Sequence, residues 1–348
     1  MLPMLKAVYR RSAPPHGIRV ERSRGLALQP PHGHVRVKVV CAGVNPVDAK
    51  GLWGDKLPAS LAWLGPRLVE GCGVGFDFSG VVESVGCGVS NLAVGDSVFG
   101  TTAVGAASLA ERCDAPVHQV AHKPEHLSYT EAAALPLAGL TALQAFRENG
   151  LRPGSRVLLI GASGGVGHIA VQVAKAMGCA SVTAVCSAAG AGLALRSGAD
   201  RIVDYSKGPR TMLMELQKLG PFDYCLDTVT SSAADDLSAG YPALVSRAGI
   251  LNAGTRYVTI GGPFSDWCLA GIRRLARGLV DPFPRNRSLF WVNFPRSDQQ
   301  LDELAALSVR PVVAHEWPFD GDNVNRAMQA LLGRRVKGKI VLRVHPDP

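Results

Sequence analysis

Charged residues are scarce: 19% of the 348 positions, against 47% apolar. That balance gives a long disordered tail no compositional support and suits a chain that buries extensive surface. No apolar stretch reaches the roughly 18–20 residues of a membrane-spanning helix. The eight cysteines, at 41, 72, 87, 113, 179, 186, 225 and 268, form no C-x-x-C pair and no Cys/His ligand spacing, which argues against a disulfide framework and a sequence-local zinc knuckle. Cys41 in VRVKVVCAG and Cys186 in VTAVCS lie inside apolar runs, as reduced, buried thiols of an intracellular protein do. No run of Lys or Arg exceeds two, although 37 basic residues exceed 28 acidic ones by nine. The densest basic stretch, Arg273, Arg274, Arg277, Arg285 and Arg287, has few of the interleaved aromatics that a nucleic-acid groove uses for stacking, so it reads as a solvated face. The surplus suits polyanions, anionic membranes and phosphorylated small molecules equally.

The length is about twice that of an ordinary domain and predicts two. The first twenty residues carry Lys6, Arg10, Arg11 and Arg19 without an acid, in the manner of an organellar presequence. LKAVYR followed by Pro14-Pro15 reads better as a strand and turn, which leaves almost nothing to cleave and favours a cytoplasmic protein, with mitochondrial import as the alternative. VRVKVV, FSGVVESV and GDSVFG continue as short strands between glycine-rich turns, so the first ~125 residues read as all-β. Ser128 and Glu131 have capping-box spacing, opening a long helix expected from Thr130 to Asn149. Short apolar runs then alternate with helical segments: RVLLIG, SVTAVCS, RIVDY, PFDYCLD, RYVTIGG and SLFWVNF. That alternation predicts a doubly wound parallel sheet. VRPVVAHEWPF and GKIVLRV return to strands, and the tail is expected to rejoin the first domain.

Within VLLIGASGGVGHIAVQVAKAMG, Gly161, Gly164 and Gly167 follow a buried strand and open an amphipathic helix. Glycines there allow a tight turn and close approach of a pyrophosphate, with the amides of Gly164, Gly165 and Val166 facing the negative charge. The next strand ends at Cys186 and Ser187 with no carboxylate. An acid at that place would accept the ribose 2′-hydroxyl of NAD; a neutral hydroxyl admits a 2′-phosphate, so NADPH is favoured. Tyr205 offers its phenol to the same phosphate or packs at the strand end.

The ordered blocks CAGVNPVDAKG, GFDFSGVVESVG, VGDSVFG, AALPLAGLTALQAF, VLLIGASGGVG, AVCS, GADRIVDY, FDYCLDTV, YVTIGGPF and KGKIVLRV run along nearly the whole chain. With them the sequence resembles the medium-chain dehydrogenase/reductase superfamily, in its zinc-free quinone oxidoreductase (zeta-crystallin-like) branch, and is most similar to the reticulon-interacting reductases. The resemblance implies an α/β fold: a GroES-like β domain from residues 1–128 and 312–348, and a Rossmann doubly wound parallel-sheet domain from 129–311 that binds NADPH. It implies Ser163, Gly165 and Val166 at the pyrophosphate, Ser187 and Tyr205 at the 2′-phosphate, and Thr228 and Ile260 along the ribose and nicotinamide. Leu289 and Trp291 align with the nicotinamide side and Lys337 with the adenosine phosphate. Many quinone reductases carry Lys or Arg just after the serine, whereas this chain has Ala188, Ala189 and Gly190.

Zinc-dependent relatives place Cys, His and Cys where this chain has Asn45, Phe76 and, near the last position, Pro136, none a zinc ligand. The chemistry implied is hydride transfer from NADPH to a quinone or to the β-carbon of an enone. Asn45 is the candidate for orienting substrate or water, against a plain turn role before Pro46. Thr141 contacts cofactor or substrate, or else packs inside its helix. Asp48 is expected to hold the loop by hydrogen bonds. KGLWGDKLPASLAWLGPRLVEG lacks the tyrosine that many relatives use as proton donor or stacking wall; Lys50, Lys56 and Trp53 or Trp63 are candidates to line the mouth of the site, and the proton source stays open. Enoyl-thioester reduction is the second reading, disfavoured by GFDFSG where those relatives have a GNEG-like block. A low-turnover NADPH-binding scaffold or sensor is the reading from another class. The resemblance also implies a homodimer, with SLFWVNF as a candidate sheet edge.

Overall fold

The computed structural model describes residues 3–10, 17–23, 25–50, 70–230, 240–261, 287–289, 292 and 297–348. Trp53, Lys56, Trp63, Cys268, Arg273, Arg274, Arg277, Arg285 and Trp291 lie outside the described residues, as does the side chain of Lys50. The chain divides into two compact units, Met1–Leu140 with Asn293–Pro348, and Thr141–Val292.

In the first unit strand β1 (Met4–Tyr9), which carries Lys6, pairs antiparallel with β2 (Ile18–Ser23), which carries Arg19. The strand reading of LKAVYR therefore holds. The valine-rich β3 (His34–Val44) pairs antiparallel with β4 (Asp77–Val85) and with β6 (Arg112–Pro116). β-Branched residues pack well on a pleated, largely buried surface. Across the β3/β6 ladder Arg36 faces Asp114 and grips it with two nitrogens at 2.8 and 2.9 Å. β5 (Ser97–Thr101) and β7 (Val120–His122) complete this side. A short helix, α1 (Pro46–Lys50), follows β3.

Ser128 and Glu131 form the anticipated capping box, with bonds of 2.9 and 3.1 Å. The single helix expected over 130–149 is, however, two: α2 (Tyr129–Ala134) and α3 (Pro136–Glu148). Pro136 has no N–H to give the Ala132 carbonyl, which instead takes the Leu135 N–H in a tightened turn at 3.3 Å.

The second unit alternates as expected. β8 (Arg156–Ile160), α4 (Gly167–Ala176), β9 (Ser181–Cys186), α5 (Ala188–Arg196) and β10 (Arg201–Asp204) come first. α6 (Pro209–Leu219), β11 (Tyr224–Asp227), α7 (Tyr241–Arg247), β12 (Tyr257–Thr259) and β13 (Arg287–Leu289) follow. All pairings are parallel, in the order β10-β9-β8-β11-β12-β13. Leu158, Ile160, Val185, Val203, Met212, Leu216, Phe222 and Tyr257 form one buried cluster, each side chain contributing about 1.5–3 kcal/mol by leaving water.

The tail returns to the first unit through α8 (Asp298–Ala306), β14 (Val313–Pro318), α9 (Gly321–Leu332) and β15 (Lys339–Arg343). β15 runs antiparallel to β3 and parallel to β14, giving the order β14-β15-β3-β4-β5-β7. The division at 140/141 and 292/293 differs from the expected 128/129 and 311/312. α2 is tied to the β-unit, where Ser79 Oγ donates to the Tyr129 carbonyl at 2.6 Å. α8 belongs there too: a Cβ on Gly139 would stand 2.7 Å from Leu304.

Candidate functional site

The strand order of the second unit reverses direction at β8 and β11, and the sequence-predicted cofactor residues gather at the carboxyl ends of its strands. Ser163 to Val166 follow β8, Ser187 follows β9, Tyr205 follows β10, Thr228 follows β11 and Ile260 follows β12, while Leu289 is the last residue of β13. In open α/β sheets the crevice outside these ends, at the point of reversal, is where ligands bind.

Gly161 turns the chain out of β8 with φ +84°, and a Cβ there would lie 2.4 Å from both Thr228 Oγ1 and Val229 Cγ1. At Gly167 a Cβ would meet the Gly161 carbonyl at 2.1 Å, so this glycine lets α4 start directly against the strand end. The Gly164 N–H donates inward to the Gly161 carbonyl at 3.0 Å. That amide, anticipated on the phosphate, is spent on the loop; Gly165 and Val166 remain as the donors there. His168 Nδ1 bonds the Gly164 carbonyl at 2.8 Å and braces the same turn. α4 has no acidic residue in its first turn, which keeps its positive end open to an anion.

Ser187 is the N-cap of α5 yet makes no capping hydrogen bond. Ser163 is buried, and Gly190 allows it to be: a Cβ at 190 would stand 2.3 Å from the Ser163 hydroxyl. Tyr205 is 43% exposed on a 3₁₀ turn rather than packed away. Beside it Asp204 accepts from the Ser206 amide and hydroxyl at 2.9 and 2.7 Å, which holds its carboxyl below the usual range.

The turn that Thr228 enters is anchored by Asp227, a buried carboxylate that sequence reasoning did not single out. Tyr257 donates its phenol to Asp227 at 2.5 Å, Thr230 donates its hydroxyl, and the Val229 and Thr230 amides donate at 2.7 and 3.1 Å. Burial raises the Asp227 pKa and these donors oppose the rise. The Thr228 hydroxyl donates to the Ile160 carbonyl at 2.9 Å, clasping the glycine loop from the next strand. Thr141 is buried in α3.

In the first unit a second cluster forms around Asn45. β15, β3 and β4 are neighbours, and their registers pair Ile340 with Val44 and Gly43 with Asp77. Lys339, Asn45 and Asp77 therefore converge at one end of three adjacent strands. Lys339 Nζ donates to Asn45 Oδ1 at 2.6 Å, and to the Val44 carbonyl and Asp77 Oδ2 at 3.4 Å each. Asn45 Nδ2 donates to Asp77 Oδ2 at 2.9 Å, and the Leu137 amide of α3 donates to Asp77 Oδ1 at 2.9 Å. Burial raises the Asp77 carboxyl while Lys339 and the other donors counter it. Asp48 Oδ2 accepts the Asn45 amide at 2.7 Å, the loop-holding role anticipated for it. Its other oxygen is buried with no hydrogen-bond partner among the described residues, and burial pushes the Asp48 pKa up to about 7. The signal for Lys339 was a lysine opening the apolar strand of GKIVLRV; for Asp77, an acid inside GFDFSG. Lys337 is half-buried on the turn before β15, in this unit.

Residues 31–193 match the alcohol dehydrogenase GroES-like domain family, and residues 165–261 the zinc-binding dehydrogenase family. The chain belongs to the medium-chain dehydrogenase/reductase superfamily. Among its relatives, NAD(P)H oxidoreductase RTN4IP1, mitochondrial, of Homo sapiens is 33% identical over 335 residues, covering 89% of this chain and 81% of that protein. The 2-methylene-furan-3-one reductase of Solanum lycopersicum is 32% identical over 325 residues, covering 90% and 72%. The quinone oxidoreductase of Thermus thermophilus, solved alone and in complex with NADPH, is 26% identical with a TM-score of 0.69, over 99% of this chain and 100% of that one.

The family name raises the question of zinc. By the family resemblance, Asn45 stands at one cysteine position of metal-dependent relatives, Phe76 at their histidine, and Pro136 near their second cysteine. The Lys339 amine already donates to Asn45 and Asp77. That donor set does not fit a zinc ion, which is bound by thiolate, imidazole or carboxylate. Among the described residues no group of three His, Cys, Asp or Glu is arranged to hold a metal, and no helix is long and apolar enough to cross a membrane.

Proposed function

We propose that the protein is a metal-independent reductase that uses NADPH to reduce a quinone or the C=C bond of an α,β-unsaturated carbonyl. The observation that carries this reading is the set of cofactor candidates, from the glycine loop to Leu289, at the carboxyl ends of the parallel strands where their order reverses. NADPH, when bound, supplies a hydride from C4 of its nicotinamide. The amides of Gly165 and Val166 and the N-terminus of α4 hold the pyrophosphate. Ser187, with its hydroxyl uncommitted to capping and no carboxylate in its place, takes the 2′-phosphate together with the exposed phenol of Tyr205. Ile260 and Leu289, at the strand ends, serve the nicotinamide side and Thr228 fixes the loop beneath the ribose; for Trp291 and Lys337 the roles at the nicotinamide and the adenosine phosphate rest on the family resemblance alone.

On an enone the hydride arrives at the β-carbon, the C=C electron pair shifts toward the carbonyl, and the resulting enolate takes a proton from water. Asn45 donates from its amide to the oxygen where negative charge develops, and Thr141 is proposed, from the family resemblance, as a contact to cofactor or substrate. The similarity to a 2-methylene-furan-3-one reductase and to a quinone oxidoreductase supports this class of acceptor. As in the family resemblance, a homodimer extended through the β13 edge is part of the proposal, and a monomer mass in solution overturns that part. Lys6 lies in β1 and Arg19 in β2; the cytoplasm is the proposed location, with the mitochondrion as the alternative.

The test is NADPH oxidation at 340 nm against an ortho-quinone, an acyclic enone and a trans-2-enoyl thioester, each repeated with NADH. Turnover with the first two and preference for NADPH are expected. Activity confined to the thioester overturns the acceptor class, and cofactor binding without turnover to any acceptor leaves a scaffold.

A further inference from the structure

A buried asparagine amide has two faces of opposite polarity that can exchange by a 180° flip, unless its neighbours forbid it. Around Asn45 they do. Asp77, when ionised, only accepts hydrogen bonds, so the atom 2.9 Å from it must be Nδ2; Lys339 only donates when protonated, so the atom 2.6 Å from it must be Oδ1. Both partners are buried and cannot be replaced by bulk water. Lys339 finds three acceptors for its three protons, Asn45 Oδ1, the Val44 carbonyl and Asp77 Oδ2. Among the described residues the arrangement commits one N–H of Asn45 to Asp77 and leaves the second as a donor of fixed direction. The bond from Lys339 into the amide oxygen also draws electron density from the amide nitrogen, strengthening that remaining donor, since hydrogen bonds in a chain polarise one another.

We propose that Lys339 and Asp77 are positioning residues for Asn45: the buried pair locks and polarises its amide so that the free N–H meets the substrate oxygen as charge develops there. This rests on the hydride-transfer reading above and assigns the work of carbonyl activation to an amide backed by a lysine. Neither Lys339 nor Asp77 touches the substrate.

The test is a double-mutant cycle. NADPH oxidation with an enone is measured at saturating cofactor for the wild type, Lys339→Met, Asn45→Ala and the double variant, with NADPH affinity and thermal melting followed in parallel. The expected result is a fall in kcat of about 100-fold for Lys339→Met, the scale of losing one donor to a developing oxyanion. NADPH affinity should stay unchanged, and the Lys339→Met effect should shrink to less than about 3-fold in the Asn45→Ala background. Equal losses in both backgrounds, or an unchanged kcat for folded Lys339→Met, overturn the proposal. Because a lone buried charge threatens folding, Asp77→Asn with Lys339→Gln removes both charges together; it should melt near the wild type yet lose at least about 10-fold in kcat, because a neutral pair no longer forbids the flip. Full kcat in that variant overturns the proposal. A wild type inert with every acceptor fails at the earlier step, the hydride-transfer reading itself.

Discussion

Lys339 Nζ lies 2.6 Å from Asn45 Oδ1, across 294 residues of chain. The contact exists because β15 lies beside β3 with Ile340 opposite Val44, which sets the residues just beyond that pair against each other. Asp77 opens the strand on the other side of β3 and closes the group. A lysine, an amide and a carboxylate thus share a site that excludes water, where their mutual bonds are strong and their separation is costly.

The first prediction concerns stability. Asp77→Ala leaves Lys339 without its carboxylate partner and should destabilise the first unit by about 3–5 kcal/mol. Replacing both by apolar residues, Asp77→Leu with Lys339→Met, should recover most of that loss. Urea denaturation of the three proteins checks it; equal midpoints would mean that the pair contributes nothing.

Asp48 predicts a pH dependence. Its folded-state pKa, raised to about 7 by burial, exceeds the unfolded value near 3.9. Between those values the folded protein holds the extra proton, so stability falls as pH rises from about 4 to 7, on the order of 4 kcal/mol from this group. Asp48→Asn should remove that slope. A slope unchanged in the variant would assign it to other carboxyls.

Gly167→Ala places a methyl 2.1 Å from the Gly161 carbonyl. The strand end and α4 must separate to admit it, which should weaken NADPH binding by at least about 10-fold, with overpacking costing about 1–3 kcal/mol. Quenching of protein fluorescence by NADPH measures the first effect, and thermal melting the second.

Ser187→Asp introduces a carboxylate at the end of β9, the place where NAD-selective sites hold theirs. The ratio of kcat/KM for NADPH over NADH should fall by at least about 10-fold. An unchanged ratio would remove the 2′-phosphate from Ser187.

Much of the second unit was legible because its determinants are local. RVLLI, the glycines at 161, 164 and 167 and the helix after them are contiguous, so pattern alone announces a strand, a turn and a helix end. The capping box at Ser128 and Glu131 spans three residues and was equally plain. The break at Leu135 was also local, and Pro136 carried the signal for it. α6, α7 and α8 were not anticipated, since their helical periodicity lies between more conspicuous apolar runs.

By itself the sequence determined the strand–glycine–helix grammar, the family and the residues at the strand ends, all properties of neighbours along the chain. Only the tertiary structure decided that the Gly164 amide is spent within its own loop, that Asp227 anchors the Thr228 turn, and that Asn45 is held between Asp77 and Lys339. Those pairings depend on which strands lie side by side and in what register, and a one-residue slip of β15 would turn Lys339 to the opposite face of the sheet.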